Sequence, residues 1–302
     1  MITPAVENII NTFPNVKLTI FGSGVSTEVF KHHPSVEKII IDKSRQAKNR
    51  YIWLYRLAKT LEFDAVFSFR RRFSSKFFAY FIQSKKRFHY QRLDKNSKHQ
   101  VIRYNDFVNN SLSTNTKPNH LKIIPKPCFD EALLRRSKAS ELGINPGASY
   151  GSAKRWYPEE FTRVASELSS QYDIVIFGGP DEVDIASDIE KGLIDNSINN
   201  YQNLAGKTSI PELIDLISNL DLFITGDSGP MHVAAAFQVP TVAIFGPTKD
   251  EETSQWMNEK SEIVKQSLEC QPCMKRTCPL KHHNCMKLIK ATDVLDAVKR
   301  LN

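Results

Sequence analysis

Three runs in the second half of the chain, Asp173–Phe177 (DIVIF), Asp221–Thr225 (DLFIT) and Val239–Phe245 (VPTVAIF), are apolar almost without interruption and rich in β-branched residues. A strand with one wet face alternates apolar and polar side chains. A run without that alternation is buried on both faces, as in a parallel sheet covered by helices. The segments between the runs carry helix signals. Pro158–Ser170 begins with proline, Asp181–Gly192 follows a Gly-Gly-Pro turn, and Ser209–Leu220 opens on a Ser-x-x-Glu capping box from Ser209 to Glu212. Gly229–Phe237 and Ala291–Leu301 are also predicted helices, and shorter strands are predicted to end at Gly143–Asn145 and to span Gln202–Leu204. Strands alternating with helices define a Rossmann-like α/β domain whose ligands bind at the carboxyl ends of the strands.

The first half repeats the rhythm less clearly. Lys17–Gly22, Val36–Ile41 and Asp64–Phe69 are predicted strands; Tyr51–Leu61, Phe73–Gln83 and Val101–Asn110 are predicted helices. Ser111–Pro127 has the composition of a linker, with His120–Ile124 a candidate short strand inside it, and Asp130–Ser140 is predicted to be a helix leading into the second half. At ~150 residues per domain, the 302 residues make two domains. The expected division is 1–127 and 128–302, giving an α/β protein of two Rossmann-like domains whose parallel sheets face a cleft.

Charge separates the halves. Residues 1–140 hold 26 Lys and Arg against 10 Asp and Glu; residues 141–302 hold 15 against 23. A basic half joined to an acidic one suggests that one half meets a polyanion, whether nucleic acid, an anionic membrane surface or an acidic substrate. No RNA-recognition motif or groove-reading helix pattern accompanies the basic residues, so no nucleic-acid partner is expected. The longest purely apolar stretch, Phe77–Ile82, is far short of the ~20 residues that cross a bilayer. Met1-Ile2-Thr3-Pro4 lacks the basic start of a signal peptide, and a cytoplasmic protein is expected.

Three loops between a strand and a helix carry chemistry. Asn145–Trp156 (NPGASYGSAKRW) combines small residues, which let a ligand approach the backbone, with Lys154, a point charge suited to phosphate. Gly178–Glu182 (GGPDE) ends in acids, which either accept hydrogen bonds from sugar hydroxyls or complement a helix dipole. Thr225–His232 (TGDSGPMH) leaves a buried strand and enters a helix whose free amides suit a diphosphate; capping alone would also account for Asp227 and Ser228.

The stretch GDSGPMHVAAAFQVPTVAIFGPT (Gly226–Thr248) resembles the signature of glycosyltransferase family 9, the heptosyltransferases of lipopolysaccharide inner-core assembly. NPGASYGSAKRWYPEEF (Asn145–Phe161), NLAGKTSIPEL (Asn203–Leu213), the Cys/His-rich tail and, more loosely, Phe63–Tyr90 and His99–Phe107 are similar to that family too. The details look most like the branch that adds the second heptose. The resemblance implies the GT-B architecture and inverting transfer from ADP-L-glycero-β-D-manno-heptose to the acidic lipopolysaccharide core, without a catalytic metal or other cofactor. It also implies peripheral contact with the inner face of the inner membrane.

Carried onto this chain, the resemblance assigns donor phosphates to Ser149 and Tyr150, and the leaving diphosphate to Lys154. Glu182 is assigned to ribose, and Thr208 lies near adenine. Asp227, Ser228 and Gly229 hold heptose and phosphates, with His232 one helical turn further on. The acceptor side falls to Arg70, Arg71, Arg72, Ser74 and Ser75, while Lys85-Lys86-Arg87 faces a membrane or solvent.

Met1-Ile2-Thr3-Pro4-Ala5 matches a point part-way into the family pattern. The first strand and the aspartate proposed as general base have no aligned counterpart. The expectations are an N-terminal sheet without its first strand, a longer natural protein, and a 302-residue chain that binds donor but transfers poorly. Cys270, Cys273, Cys278 and Cys285, with His282 and His283, form a candidate structural metal site, since thiolates and imidazoles at such density suit zinc. Three other functions fit the architecture: heptose transfer at another core position, a nucleotide-sugar 2-epimerase and a donor-binding remnant.

Overall fold

The structure is a computed structural model that describes residues 1–92, 97–125, 140–147 and 151–301. The chain forms two units, Met1–Asn119 and His120–Asn302. The expected boundary at 127/128, and the predicted helix over 130–139, lie outside the described residues.

Unit 2 is a six-stranded, wholly parallel sheet in the order β10-β9-β8-β5-β6-β7, built from β5 (Ser140–Asn145), β6 (Tyr172–Ile176), β7 (Tyr201–Asn203), β8 (Leu222–Gly226), β9 (Thr241–Phe245) and β10 (Ser261–Lys265). Every residue of β8 and β9 is buried, as their unbroken apolar runs require. The helices are α6 (Pro158–Leu168), α7 (Val183–Asp195), α8 (Ile210–Ser218), α9 (Gly229–Ala236), the short α10 (Asp250–Thr253) and α11 (Asn284–Lys287), and α12 (Ala291–Leu301). α6, α7 and α12 pack Phe161, Val164, Ile189, Leu193, Val294 and Ala297 against Ile144, Ile174, Ile176 and Ile224 on one face of the sheet. Phe177, Phe223, Ile217 and Ala234 fill the other face under α8 and α9. Ser209 and Glu212 form the predicted capping box, with the Ser209 N–H donating to Glu212 Oε2 at 2.7 Å.

Unit 1 contains α1 (Thr3–Thr12), β1 (Leu18–Gly22), α2 (Gly24–Glu28), β2 (Val36–Ile41), α3 (Arg50–Ala58), β3 (Glu62–Ser68), α4 (Phe73–Phe81), β4 (Gln83–His89) and α5 (Gln100–Leu112). Its four strands form two separate parallel pairs, β1-β2 and β3-β4. The pairs share their helical cover. Phe21 and Ile40 join Phe63 and Val66 beneath α3 and α4, while Leu18 joins Phe67 and Phe69 against α1 and α5. The predicted helix over Phe73–Gln83 stops at Phe81, and Gln83 opens β4, a strand with no signal in its sequence. Lys85-Lys86-Arg87 lies on that strand. Arg87 donates to the carbonyls of Ala79 and Ile82 at the end of α4, so it fastens a helix terminus. Lys85 pairs with Asp64 in solvent at 2.7 Å. Residues 120–124 carry no strand, and no helix among the described residues is long and apolar enough to cross a membrane.

Candidate functional site

A parallel sheet delivers all its strand ends to one edge, and at that edge of unit 2 the predicted loops meet. Asn145, the last residue of β5, is in register with Thr225 of β8. Its buried amide nitrogen donates to Thr225 Oγ1 and to Ser228 Oγ, each at 3.3 Å. The loop after β5 is thereby tied to the loop after β8.

Lys154 ends a turn of 3-10 helix, Ser152–Lys154. Its ammonium donates to Asp227 Oδ2 at 2.5 Å and to the Asp227 carbonyl at 3.1 Å. The pair is nearly enclosed, with side-chain exposures of 11% for Lys154 and 7% for Asp227. Thr248, in the loop after β9, donates its hydroxyl to the same Asp227 oxygen at 2.7 Å. Three strand-end loops therefore converge on one carboxylate. Asp227 does not cap α9, and neither does the side chain of Ser228, which occupies the cap position without bonding a helix amide. Ser228 Oγ is instead 3.3 Å from Thr225 Oγ1. The first amides of α9 are thus left without a side-chain cap, and a Cβ added at Gly229 would meet nothing within 4 Å.

Glu182 closes the 3-10 turn after β6 and accepts the Gly179 N–H at 2.8 Å. Its carboxylate presses on the loop after β5: a Cβ placed on Gly147 would lie 1.9 Å from the Glu182 carboxyl carbon. The helix-start role considered for this acid is seen in its bond to the Gly179 N–H, and the contact with Gly147 ties the loop after β6 to the loop that leaves β5. Ser149 and Tyr150 themselves lie outside the described residues. Thr208 is half-buried in the turn before α8, and His232 is half-buried on α9. In unit 1, Arg70, Arg71 and Arg72 are exposed between β3 and α4. Ser75 is half-buried, but Ser74 is buried, which removes its hydroxyl from the surface.

The Cys/His-rich segment packs beside the Lys154 loop. Cys270, Cys273, Cys278 and Cys285 line one small cavity together with His282 and His283, and all four are free thiols. Among the described residues, however, no group of three or more His, Cys, Asp or Glu is arranged to hold a metal ion. Two of these side chains have further neighbours. His283 Nε2 meets the Ala153 carbonyl at 2.9 Å, and its Nδ1 meets the Tyr157 hydroxyl at 3.1 Å. Cys285 is buried against Gly246, and burial together with the neighbouring Cys273, Cys278 and Cys270 pushes its thiol up to about 11. The segment also braces the Lys154 loop, since the Ala153 N–H donates to the Arg276 carbonyl at 3.0 Å.

Thr248 and Asn145 are the site residues that sequence reasoning missed. Both sat inside stretches already singled out, and their signal was position at a strand end.

Residues 55–284 match the family model of glycosyltransferase family 9 (heptosyltransferase). The chain belongs to that family. Lipooligosaccharide heptosyltransferase 2 of Campylobacter jejuni subsp. jejuni is 42% identical over 303 aligned residues, which cover 100% of this chain and 93% of that protein. Two solved structures share the fold. E. coli ADP-heptose LPS heptosyltransferase II superposes with a TM-score of 0.81 at 20% identity, covering 99% of this chain and 94% of that one. E. coli heptosyltransferase WaaC with ADP superposes with a TM-score of 0.74 at 15% identity, covering 100% and 95%. This family 9 glycosyltransferase thus has the GT-B architecture of those enzymes.

Proposed function

We propose that this family 9 enzyme transfers L-glycero-D-manno-heptose from ADP-heptose, with inversion, to the inner core of lipopolysaccharide at the second heptose position, working at the inner membrane surface. The relative from Campylobacter jejuni subsp. jejuni is named a lipooligosaccharide heptosyltransferase 2, and one structural neighbour was solved with ADP. The observation that carries the reading is the convergence of Lys154, Asp227 and Thr248 beside the uncapped start of α9.

The chemistry follows from those groups. When the acceptor hydroxyl attacks the anomeric carbon and releases its proton to water, the bond to ADP breaks and negative charge gathers on the departing diphosphate. The uncapped amides at the start of α9 are donors to such charge, and the ammonium of Lys154 turns to it from the Asp227 carbonyl. In this reading Lys154 keeps its bond to Asp227 Oδ2 and exchanges the one to the Asp227 carbonyl for a phosphate oxygen. Asp227, held by Lys154 and Thr248 through Oδ2, keeps Oδ1 for a sugar hydroxyl. Glu182 is the ribose ligand of this reading, and Ser149, Tyr150, Thr208 and His232 complete the donor side. The exposed arginines 70–72 and Ser75 meet the carboxylates and phosphates of the acceptor.

The test is transfer from ADP-heptose to heptosyl-Kdo2-lipid A by the purified chain. Lys154→Ala should lower kcat/KM by ~100-fold, the scale of removing one donor to developing charge. An unchanged kcat/KM in that variant would overturn the proposal. So would conversion of ADP-heptose in the absence of acceptor, which is what an epimerase does.

A further inference from the structure

Unit 1 displays an aromatic surface that the donor site does not use. Helices α3 and α4 pack side by side and present Phe73 at 70% exposure, Tyr80 at 69%, Ile52 at 50%, Tyr51 at 42% and Tyr55 at 41%. These side chains form one patch. Tyr51 lies 6.0 Å from Phe73 and 5.1 Å from Phe77, between ring centroids; Tyr55 lies 4.9 Å from Phe81, which in turn lies 5.2 Å from Tyr80. Scattered exposed apolar residues are ordinary, but a contiguous patch marks a surface that meets something apolar.

The charge around the patch says what. Residues 43–61 contain six Lys and Arg and no acid; residues 65–92 contain eight and no acid. Lys59 sits over the Tyr55 ring at 5.8 Å, and Lys76 is exposed on α4 between Phe73 and Phe77. Arg50 leans toward Asp42 at 3.9 Å. A protein partner of apolar surface would not need this excess of positive charge. A phospholipid surface with anionic headgroups satisfies both features, because aromatic rings settle at the headgroup boundary while Lys and Arg meet the phosphates.

We propose that the face of α3 and α4, with Phe73, Tyr80, Tyr51 and Tyr55 as its apolar contacts and Arg56, Lys59 and Lys76 as its charges, docks on an anionic lipid bilayer. This deepens the reading of the enzyme as one that works at a membrane, and rests on it for its purpose but not for its test.

The test is co-flotation of the full chain with vesicles of phosphatidylcholine alone, or of phosphatidylcholine mixed with phosphatidylglycerol. Binding is expected only to the mixed vesicles and should weaken with added salt. The double variant Phe73→Ser, Tyr80→Ser should bind the mixed vesicles about tenfold more weakly, given the apolar area it withdraws, and Arg56→Glu, Lys76→Glu should lose binding. Ile194→Ser, which removes an apolar side chain of unit 2 exposed to 57%, should change nothing. ADP binding, measured on the same samples, separates the two proposals. Normal ADP binding without flotation overturns the docking face and leaves the donor site standing. Flotation without ADP binding does the reverse. Equal flotation of the aromatic variant, self-association through these residues, or displacement from vesicles by single-stranded RNA stacking on the rings would also overturn the docking face.

Discussion

Thr248 shows how one hydroxyl prepares a charged site. It donates to the Asp227 oxygen that also receives Lys154, so the carboxylate stays in place when the ammonium turns toward a phosphate. Thr248→Val leaves that buried oxygen one donor short, a loss on the scale of ~1–3 kcal/mol. ADP affinity should fall about tenfold by calorimetry, and Thr248→Ser should restore it. Cys285 makes the opposite point, a reactive group silenced by its setting. With its thiol pushed up to about 11 by burial and by the neighbouring thiols, only about a thousandth of it is thiolate at pH 8. Iodoacetamide at that pH should therefore modify Cys270, Cys273 and Cys278 first and Cys285 last, as read by peptide mass spectrometry.

At the scale of elements, the capping box of α8 offers a clean measurement. Its two hydrogen bonds from Ser209 hold the Glu212 carboxyl below its ordinary range. Ser209→Ala should cost ~1 kcal/mol in urea denaturation at neutral pH. A depressed carboxyl stabilises above its unfolded pKa and loses that effect as pH falls, so the gap between wild type and variant should narrow in acid. The same helix illustrates what could be read from the chain alone. Helices α8 and α12 carry strong helical periodicity and strands β2, β8 and β9 carry apolar runs, and each formed within a few residues of expectation. Strand β4 (QSKKRFH) has neither alternation nor an apolar run, because one strand partner and a wet surface ask little of its side chains. Helix α1 hid behind Pro4 and two asparagines, and its Asn8 is recruited by Asn105 and Asn109, contacts set by tertiary packing. At the site, Lys154 and Asp227 were legible as loop residues with the right chemistry. That Thr248 would arrive at the same carboxylate was not, since the meeting depends on three strands lying in register.

As a whole molecule the chain is uneven. Unit 2 is one six-stranded sheet with a double-faced core; unit 1 rests on two strand pairs whose residues are mostly half-buried. Two-stranded ribbons depend on their helical cover for stability. Native-state hydrogen exchange should show the amides of β1 and β3 exchanging roughly 100-fold faster than those of β5 and β8. Indistinguishable rates would contradict this division of stability. The asymmetry matters at the bench. Because nucleotide would be retained by the sturdier half, an ADP-affinity resin would collect molecules whose amino-terminal portion has already come apart along with intact ones. Only an assay that engages both halves would count the sound fraction.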